Sequence, residues 1–337
     1  MSLAIVGTGL VTPFGDTPTE HAFFLRASVP APPPSPFRLR NDESALHVRY
    51  CRWIGASAPI AERLLRMGDL VARDALSTCA AVRDGGDVQV MLTVPKDRPG
   101  VTGAVLDELS KGLAQHGTVQ RFAGDAGAFE ALRRAGVAVR KREARVIIVA
   151  AVDSFVDLEA LDELVLRTPS EWNLDAPVPS EGAAAVALMD ADDARNARIA
   201  VLGEVQGASV ARGQSNDDND EVVDGSAMTV VLRSLPTRAP AMSAFGPLKV
   251  DLLRQDEWHL ATARTADRFA PGCTFACLES RVGRLGAASG LANLVYGLVL
   301  QMHRAGPSVE ASSAPFYAWA VSADGTRGAA VVVPRGP

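Results

Sequence analysis

The side chains that could act as nucleophiles or metal ligands are few and scattered along the chain. Four cysteines in 337 residues are too few and too far apart for a disulfide framework. Cys273 and Cys277 lie four residues apart, which is not the two-residue gap of a zinc knuckle, and no histidine pair is near them. We therefore expect reduced thiols and no bound metal.

Histidine, glycine and acidic residues also fail to form a cofactor or calcium motif. The five histidines are isolated from one another in sequence. Gly7 and Gly9 end an apolar run, but the third glycine of a dinucleotide fingerprint is missing, and VTP follows where a helix should begin. The acidic run GQSNDDNDEVVDG, residues 213–225, does not fit an EF-hand and is expected to be a solvated loop. We expect no cofactor.

Composition limits the compartment and the partners. The formal charge is −5, and lysine and arginine do not cluster in the sequence, so we expect neither nucleic-acid nor membrane binding. The longest apolar runs, such as VIIVAAV, are too short to cross a bilayer. No basic segment followed by an apolar one opens the chain, which predicts a cytoplasmic protein.

The elements that position any site follow from hydrophobic periodicity. The stretch from Arg121 to Asp153 predicts a glycine-bracketed turn, a helix and a buried strand. The same reasoning predicts helices over 58–82, 103–116 and 153–167, and strands over 88–95 and 180–190.

Two segments of the first half resemble segments of the second. The apolar run that opens the chain is similar to residues 197–209, and EGAAAVAL at the end of the first half is similar to RGAAVVVP at the end of the second. These similarities indicate an internal duplication with halves at 1–190 and 191–337. Strands alternating with helices in each half predict an α/β protein with mostly parallel sheets.

Four blocks, in this order and spacing, resemble the β-ketoacyl-acyl-carrier-protein synthases of the thiolase superfamily. They are AIVGTGLVTPFG near the start, PVPSEGAAAVAL before residue 190, GRLGAASG at 283–290 and DGTRGAAVVV at the end. The resemblance implies the thiolase-like fold, in which two duplicated βαβαβ-type halves form an α-β-α-β-α stack. It also implies a dimer.

The resemblance locates the family's catalytic groups in this chain, and all four have changed. Counting back from Asp153, the nucleophilic cysteine position falls on Asp125, or on Gly124 if the count is off by one. Ser243, the first residue of the block SAFGPLKVD, stands at the position of the family's first histidine. Arg284 stands at the position of the second histidine, and Glu279 at the position of the lysine.

Each changed residue has a structural and a functional interpretation. Asp125 would cap the following helix, or it would contact a ligand; as a nucleophile it is a poor one, because the acid anhydride is less stable than the thioester. Ser243 would be a hydrogen-bonded strand-end hydroxyl or a donor to an enolate oxygen. Arg284 would pair with Glu279 across the vacated pocket or bind substrate. Cys79 is the nearest alternative nucleophile, but it lies in a helical pattern.

Two functions remain open. The first is a degenerate ketosynthase-like protein without condensing activity, acting as a structural or regulatory partner in a fatty-acid, polyketide or accessory pathway. It would form a homodimer, or a heterodimer with a ketosynthase, and could meet an acyl carrier protein. The second is an acyl-thioester-processing enzyme, a decarboxylase, hydrolase or acyltransferase, with a site that lacks cysteine. Whether the chain is an enzyme stays undecided at this point.

Overall fold

The computed structural model describes residues 3–30, 32, 35–38, 45–79, 87–96, 100–157, 161, 178–213, 224–236, 238–247, 252–303 and 314–335. Within these ranges the strands are β1 Leu3–Val11, β2 Ser35–Arg38, β3 Ala45–Val48, β4 Val88–Val94, β5 Thr118–Ala123, β6 Val146–Ser154, β7 Glu181–Asp190, β8 Gly203–Arg212, β9 Ala241–Phe245, β10 Phe269–Ala276, β11 Phe316–Val321 and β12 Thr326–Pro334. The α-helices are α1 Pro18–Arg26, α2 Ile60–Ser77, α3 Gly103–Leu113, α4 Gly127–Arg140, α5 Ala191–Asn196, α6 Ser226–Ser234, α7 Leu252–Arg264, α8 Glu279–Val282 and α9 Ser289–Met302. Short 3₁₀ turns cover Ala266–Arg268 and Gly286–Ala288.

Ten of these strands form one sheet whose two halves repeat the same topology. The order is β5-β4-β6-β7-β1 in the first half and, continuing from β1, β8-β12-β11-β9-β10 in the second. In each half the outer three strands are parallel and the inner two run antiparallel to their neighbours. Among the described residues, the strand pairing between the two halves is limited to Leu3–Ile5 of β1 against β8.

The sheet folds over a central pair of helices, which gives five layers. Helices α4 and α9 contact strands of both halves, and the main hydrophobic cluster surrounds them. Helices α2 and α3 cover the outer face of the first half, and α6 and α7 form the outer layer of the second. The expected α-β-α-β-α architecture is therefore confirmed. The division at residue 190 falls between β7 and α5 and stays a prediction.

Most of the expected elements are present, with shifted ends. Within the described residues, the helix expected over 58–82 corresponds to α2, and the strands expected over 88–95 and 180–190 are β4 and β7. The expected helix over 153–167 is wrong at its start, since Asp153 and Ser154 belong to β6. Its remainder falls largely outside the described residues, as does most of the acidic run 213–225.

Gly7 and Gly9 serve packing between β1 and α2. A Cβ atom at Gly7 would lie 2.0 Å from the Ala75 carbonyl oxygen, and one at Gly9 would lie 2.4 Å from that of Val71. Glycine is therefore required because the strand and helix backbones approach closely. In the described part of the chain, no helix is both long and apolar enough to span a bilayer, and no cluster of three potential metal-binding side chains is present.

His21 forms a buried hydrogen-bonded unit at the start of α1. Its Nδ1 lies 2.7 Å from the Thr17 carbonyl oxygen and its Nε2 2.7 Å from the Thr12 hydroxyl. Because a carbonyl only accepts, Nδ1 carries the proton and Thr12 donates to Nε2. Burial lowers the pKa of His21 to about 4, so the ring is neutral at physiological pH.

This lowered pKa predicts a specific loss of stability in acid. The unfolded chain takes up the His21 proton near pH 6.5, whereas the folded chain takes it up only near 4, so stability is lost as pH falls between these values. The contribution is about 3 kcal/mol over this window. Denaturant unfolding of wild type and His21→Gln between pH 7.5 and 4 should show the gap between them shrinking by this amount. The exposed control His259→Gln should track wild type, and a constant gap for His21→Gln would contradict the assignment.

Candidate functional site

The turn before α4 is held by a side chain from the other half of the chain. Gly124 has a φ of 84° and donates its N–H to the Val94 carbonyl at 2.9 Å. The backbone N–H of Ala126 donates to Ser322 Oγ at 2.8 Å. Ser322 directly follows β11. The first turn of α4 is thus fixed by Ser322.

The expectation that Asp125 caps α4 is wrong. Helix α4 begins at Gly127, Ala126 occupies the N-cap position, and no side chain makes the capping hydrogen bond. Asp125 lies one residue too early in the turn, half-buried, with Ser322 holding the N–H that follows it. The sequence alone did not place the helix start accurately, because the turn depends on a contact from 196 residues away.

The turn before α9 has the matching arrangement. Asp153, at the end of β6, accepts the Ala287 N–H at 2.8 Å and the Ser154 N–H at 2.7 Å. Gly286 has a φ of 53°, and a Cβ atom there would lie 2.1 Å from Asp153 Oδ2. Only glycine allows the carboxylate to approach this turn so closely.

Arg284 extends from this second turn. Its N–H donates to the Val178 carbonyl at 2.8 Å, which attaches the turn to the start of β7. Its half-buried guanidinium lies 5.3 Å from the centre of the Phe155 ring, within the range of a cation–π interaction. Arg284 therefore lines the space between the ends of β6 and β7.

Glu279 is buried and forms hydrogen bonds within the same turn. It accepts the Leu285 N–H at 2.9 Å and the Ser289 hydroxyl at 2.7 Å. Burial raises the pKa of Glu279; these two hydrogen bonds and the charge of Arg284 oppose the rise, and the charge of Asp125 adds to it. The structure thus brings Asp125, Arg284 and Glu279 within electrostatic range of one another.

Ser243 is not part of this cluster. It lies buried within β9, level with Phe316 of β11, and accepts a 2.6 Å hydrogen bond from Gln301. Gln301 is near the C-terminal end of α9, whereas Ser289, which bonds Glu279, begins that helix, so the two are roughly 18 Å apart along the axis. Residues 248–251, the rest of the block that Ser243 leads, lie outside the described residues.

Two residues of the site could have been found from the internal duplication. Ser322 follows β11, and Asp153 ends β6, the strand at the corresponding place in the first half. Aligning the two halves on these strands would have marked Ser322 as the counterpart of Asp153. Sequence reasoning used Asp153 only as a counting landmark.

Glu181 belongs to a structural network behind the cluster. It forms a fully buried ion pair with Arg63 at 2.8 Å and also accepts the Cys51 N–H and the Ser154 hydroxyl. Burial raises the pKa of Glu181, and Arg63 opposes that rise. Since Ser154 neighbours Asp153, the network ties the segment before α2 to the cluster. Cys79 is buried at the end of α2, and burial raises its thiol pKa.

A surface cavity lies beside the turn that contains Asp125. It has a volume of about 440 Å³. Apolar side chains of Val94, Pro95, Leu106 and Phe122 line it, together with the aliphatic parts of two cations. These cations are Lys96, 2.8 Å from Asp324, and Arg121, 2.8 Å from Asp107.

Comparison with known proteins identifies the fold. No family model and no curated protein matches the sequence. Among solved structures, the ketosynthase from module 6 of the bacillaene synthase of Bacillus subtilis 168 superposes with a TM-score of 0.78 at 14% identity, over 100% of this chain and 73% of that one.

Two further structures match along nearly their whole length. A type II polyketide synthase acyl-carrier protein in complex with its ketosynthase, bound to a hexaketide, gives a TM-score of 0.77 at 13% identity, covering 99% of both chains. The ishigamide ketosynthase/chain length factor gives 0.72 at 17% identity, covering 100% of both. The chain therefore has the ketosynthase-type thiolase fold, as the sequence motifs indicated.

The environment of Glu279 predicts a pH effect opposite to that of His21. A carboxyl whose pKa is raised on folding loses stability as pH rises above its ordinary value of 4.5. Glu279→Gln removes this loss and keeps an acceptor for the Leu285 N–H. Relative to wild type, the variant should therefore gain unfolding free energy as pH rises from 4.5 towards 8 in denaturant titrations. The exposed control Glu108→Gln should show no such trend, and a difference for Glu279→Gln that does not change with pH would contradict the raised pKa.

Proposed function

We propose that this chain is a non-condensing ketosynthase-fold protein that acts as a structural or regulatory partner in a fatty-acid, polyketide or related pathway. The observation that carries the proposal is the cluster of Asp125, Arg284 and Glu279, with Glu279 buried and bonded to the turn before α9. Glu279 holds this turn through two hydrogen bonds, and the cluster contains no thiol or other good nucleophile for a thioester.

The chemistry of the cluster argues against an acyl-enzyme. A carboxylate at Asp125 would have to form an anhydride from a thioester, which is uphill. The Ala126 N–H is bonded to Ser322, and the Ala287 N–H is bonded to Asp153. These donors at the helix starts are therefore already satisfied by the protein's own oxygens and would have to be released before they could stabilise a developing oxyanion.

The sheet has one regular and one interrupted outer edge. Strand β5 pairs with β4 over six consecutive residues without a break. Strand β10 shifts register against β9 between Phe269 and Thr274, where Pro271 and Gly272, with a φ of 77°, lie. Because prolines and bulges discourage further strand pairing, β5 is the edge suited to a partner strand.

Self-pairing of β5 across a two-fold axis has a preferred register. In a sheet that continues across the axis, two opposed residues have their side chains on the same face, so their residue numbers differ by an even number. The axis therefore passes through a residue near the middle of β5, either Gln120 or Arg121. An axis at Arg121 places two guanidiniums opposite each other, which is unfavourable. An axis at Gln120 places Arg121 opposite Val119 of the partner subunit, so we favour it.

The structural relatives support partners of this kind. One is a ketosynthase/chain length factor and another is a ketosynthase in complex with an acyl-carrier protein. By analogy, this chain pairs with itself or with a ketosynthase through β5, and an acyl carrier protein is a candidate third component.

One observation favours the second candidate function, acyl-thioester processing without cysteine. The 440 Å³ cavity is lined by apolar residues together with Lys96 and Arg121, and it reaches Ala123, two residues before Asp125. Such a cavity could hold an acyl group beside the turn that contains Asp125. Consumption of a thioester by the wild-type chain, slowed by Arg284→Ala, would establish this function over the first.

The first test concerns the pairing register. Gln120→Cys, in a Cys273→Ser, Cys277→Ser background, should form an intermolecular disulfide on mild oxidation, because directly opposed residues in antiparallel strands lie about 5 Å apart. Thr118→Cys in the same background is the matched control. It should not crosslink, because with the axis at Gln120 the two substituted side chains would lie four residues apart along the paired strands. Non-reducing electrophoresis and the mass in solution provide the readout. A monomer at micromolar concentration, with no crosslink, would contradict the proposed pairing.

The second test restores a thiol. Asp125→Cys should form no carbon–carbon bond from acyl and malonyl thioesters, because the positions of both histidines and the lysine remain substituted. Product analysis by mass spectrometry, with an active ketosynthase as positive control, measures this. Condensed product above background would show that the site retains condensing machinery and would overturn the proposal.

A further inference from the structure

The C-terminal end of α4 and the turn that follows it carry a run of basic residues. Residues 130–145 contain six lysine or arginine residues and two glutamates, a net charge of +4 within a chain of −5. The expectation that lysine and arginine do not cluster in the sequence is wrong for this run. Helix α4 begins beside Asp125, so its other end, at Arg140, lies about 20 Å from the candidate site.

Four of the six cations in this run are unpaired. Each glutamate is bound by one arginine, Glu130 by Arg133 and Glu143 by Arg134, both at 2.5 Å. The other four cations are exposed, and within the described residues they form no ion pair and no side-chain hydrogen bond. We call them the α4 basic end: Arg140, Lys141, Arg142 and Arg145.

Acidic residues on the neighbouring elements do not cancel this charge. Helix α4 packs against α9, which contains no charged residue, and against strands of both halves. At this end of those strands the described acids are Asp87, Asp190 and Glu204. Glu204 pairs with Arg335 at 2.8 Å, and Asp190 accepts two N–H groups at the start of α5. Asp87 is therefore the one acid of the three that stands against the four cations.

The adjoining segments add no net charge. Residues 191–198, which include α5, contain two aspartates and two arginines. Residues 80–86, which precede Asp87 and lie outside the described part, contain one arginine and one aspartate. The excess of positive charge at the α4 basic end therefore does not depend on where residues 80–86 lie.

Arg142 occupies a backbone position that normally favours glycine. Its φ is 56°, and the N–H groups of Arg142 and Glu143 donate back to carbonyls of the last turn of α4 at 3.0 and 2.9 Å. A side chain other than that of glycine or asparagine is strained at this left-handed position. The helix dipole accounts for cations at Arg140 and Lys141. It does not account for an arginine in a strained position, or for Arg145 beyond the helix.

A small cavity lies between α4 and β8 beside the α4 basic end. Its volume is about 180 Å³, below the roughly 300 Å³ at which pockets for cofactors and drug-sized ligands begin. It has room for one apolar side chain. Apolar and polar residues line it together, among them Leu132, Val139, Val205, Arg133, Arg140 and Gln206.

The composition of this surface favours a protein segment over a membrane or a nucleic acid. In the described part of the chain, the exposed large apolar side chains all lie outside residues 130–145 and β8, so none would enter a bilayer interface here. Neither segment contains an exposed aromatic ring on which bases could stack. The acidic remainder of the chain would repel a long polyanion, whereas a short segment meets mainly the charge within a Debye length of about 8 Å.

We propose that the α4 basic end binds an acidic segment of a partner protein, with carboxylates on its four cations and one apolar side chain in the 180 Å³ cavity. The proposal depends neither on pairing through β5 nor on the chemistry at Asp125, because the surface lies at the opposite end of α4.

The test uses three synthetic peptides of equal length with blocked termini. The first has one leucine flanked by two glutamates on each side, the second replaces every glutamate by glutamine, and the third replaces the leucine by alanine. Fluorescence anisotropy with the full-length chain should show binding of the first peptide, at least tenfold weaker binding of the second and several-fold weaker binding of the third. Affinity for the first should fall several-fold between about 50 and about 300 mM salt.

Variants locate the binding surface. Lys141→Glu with Arg145→Glu should weaken binding of the acidic peptide at least tenfold. Arg142→Gly should weaken it several-fold while keeping or raising the melting temperature, because glycine relieves the strain at φ 56°. Arg52→Glu, an exposed reversal near the other end of the first half, is the control and should leave binding unchanged.

Three results would overturn the proposal. The first is no detectable binding of the acidic peptide at submillimolar concentrations of the chain. The second is equal binding by the folded Lys141→Glu, Arg145→Glu variant, with thermal melts as the check of folding. The third is binding of duplex DNA or anionic vesicles in preference to the peptide. Equal binding of the leucine and alanine peptides would overturn the role of the cavity.

Discussion

Each half of this protein fixes the first turn of the other half's central helix. Ser322 of the second half accepts the Ala126 N–H before α4, and Asp153 of the first half accepts the Ala287 N–H before α9, both at 2.8 Å. These donors would otherwise be buried without partners, at a cost of about 1–3 kcal/mol each. The two turns therefore cannot form independently, and the halves become a single folding unit although their strands pair over only three residues.

The same constraint explains the character of the site. Because the Ala126 and Ala287 N–H groups are bonded to the protein's own oxygens, these two donors are not available to a ligand anion. Helix N-termini attract negative charge, but burial opposes the ionisation of Glu279. Arg284 supplies a compensating cation. The hydrogen bonds of Asp153 and Glu279 stabilise the turn before α9.

The sequence predicted the fold well and the site unevenly. Strand and helix patterning, together with four short motifs, was sufficient for the layered architecture, because buried strands such as β6 and β7 are continuous apolar or small-residue runs. Counting along motifs brought Asp125, Arg284 and Glu279 together, since each is tied to a local turn. It did not bring Ser243 to them, because Ser243 lies within β9 and contacts Gln301, near the opposite end of α9 from Ser289. Ser322 was not predicted, because its role depends on a contact between distant segments, although an alignment of the two halves would have marked it as the counterpart of Asp153.

The central claim is that the chain does not process acyl thioesters. Its most direct test is to incubate the purified wild-type chain with acyl and malonyl carrier-protein thioesters and to follow both the thioesters and the protein by intact mass. We predict that the thioesters persist at the rate of the protein-free control and that the chain gains no acyl mass. Loss of thioester above that control, or a covalent acyl adduct on the chain, would contradict the account and identify the cluster as an enzyme site.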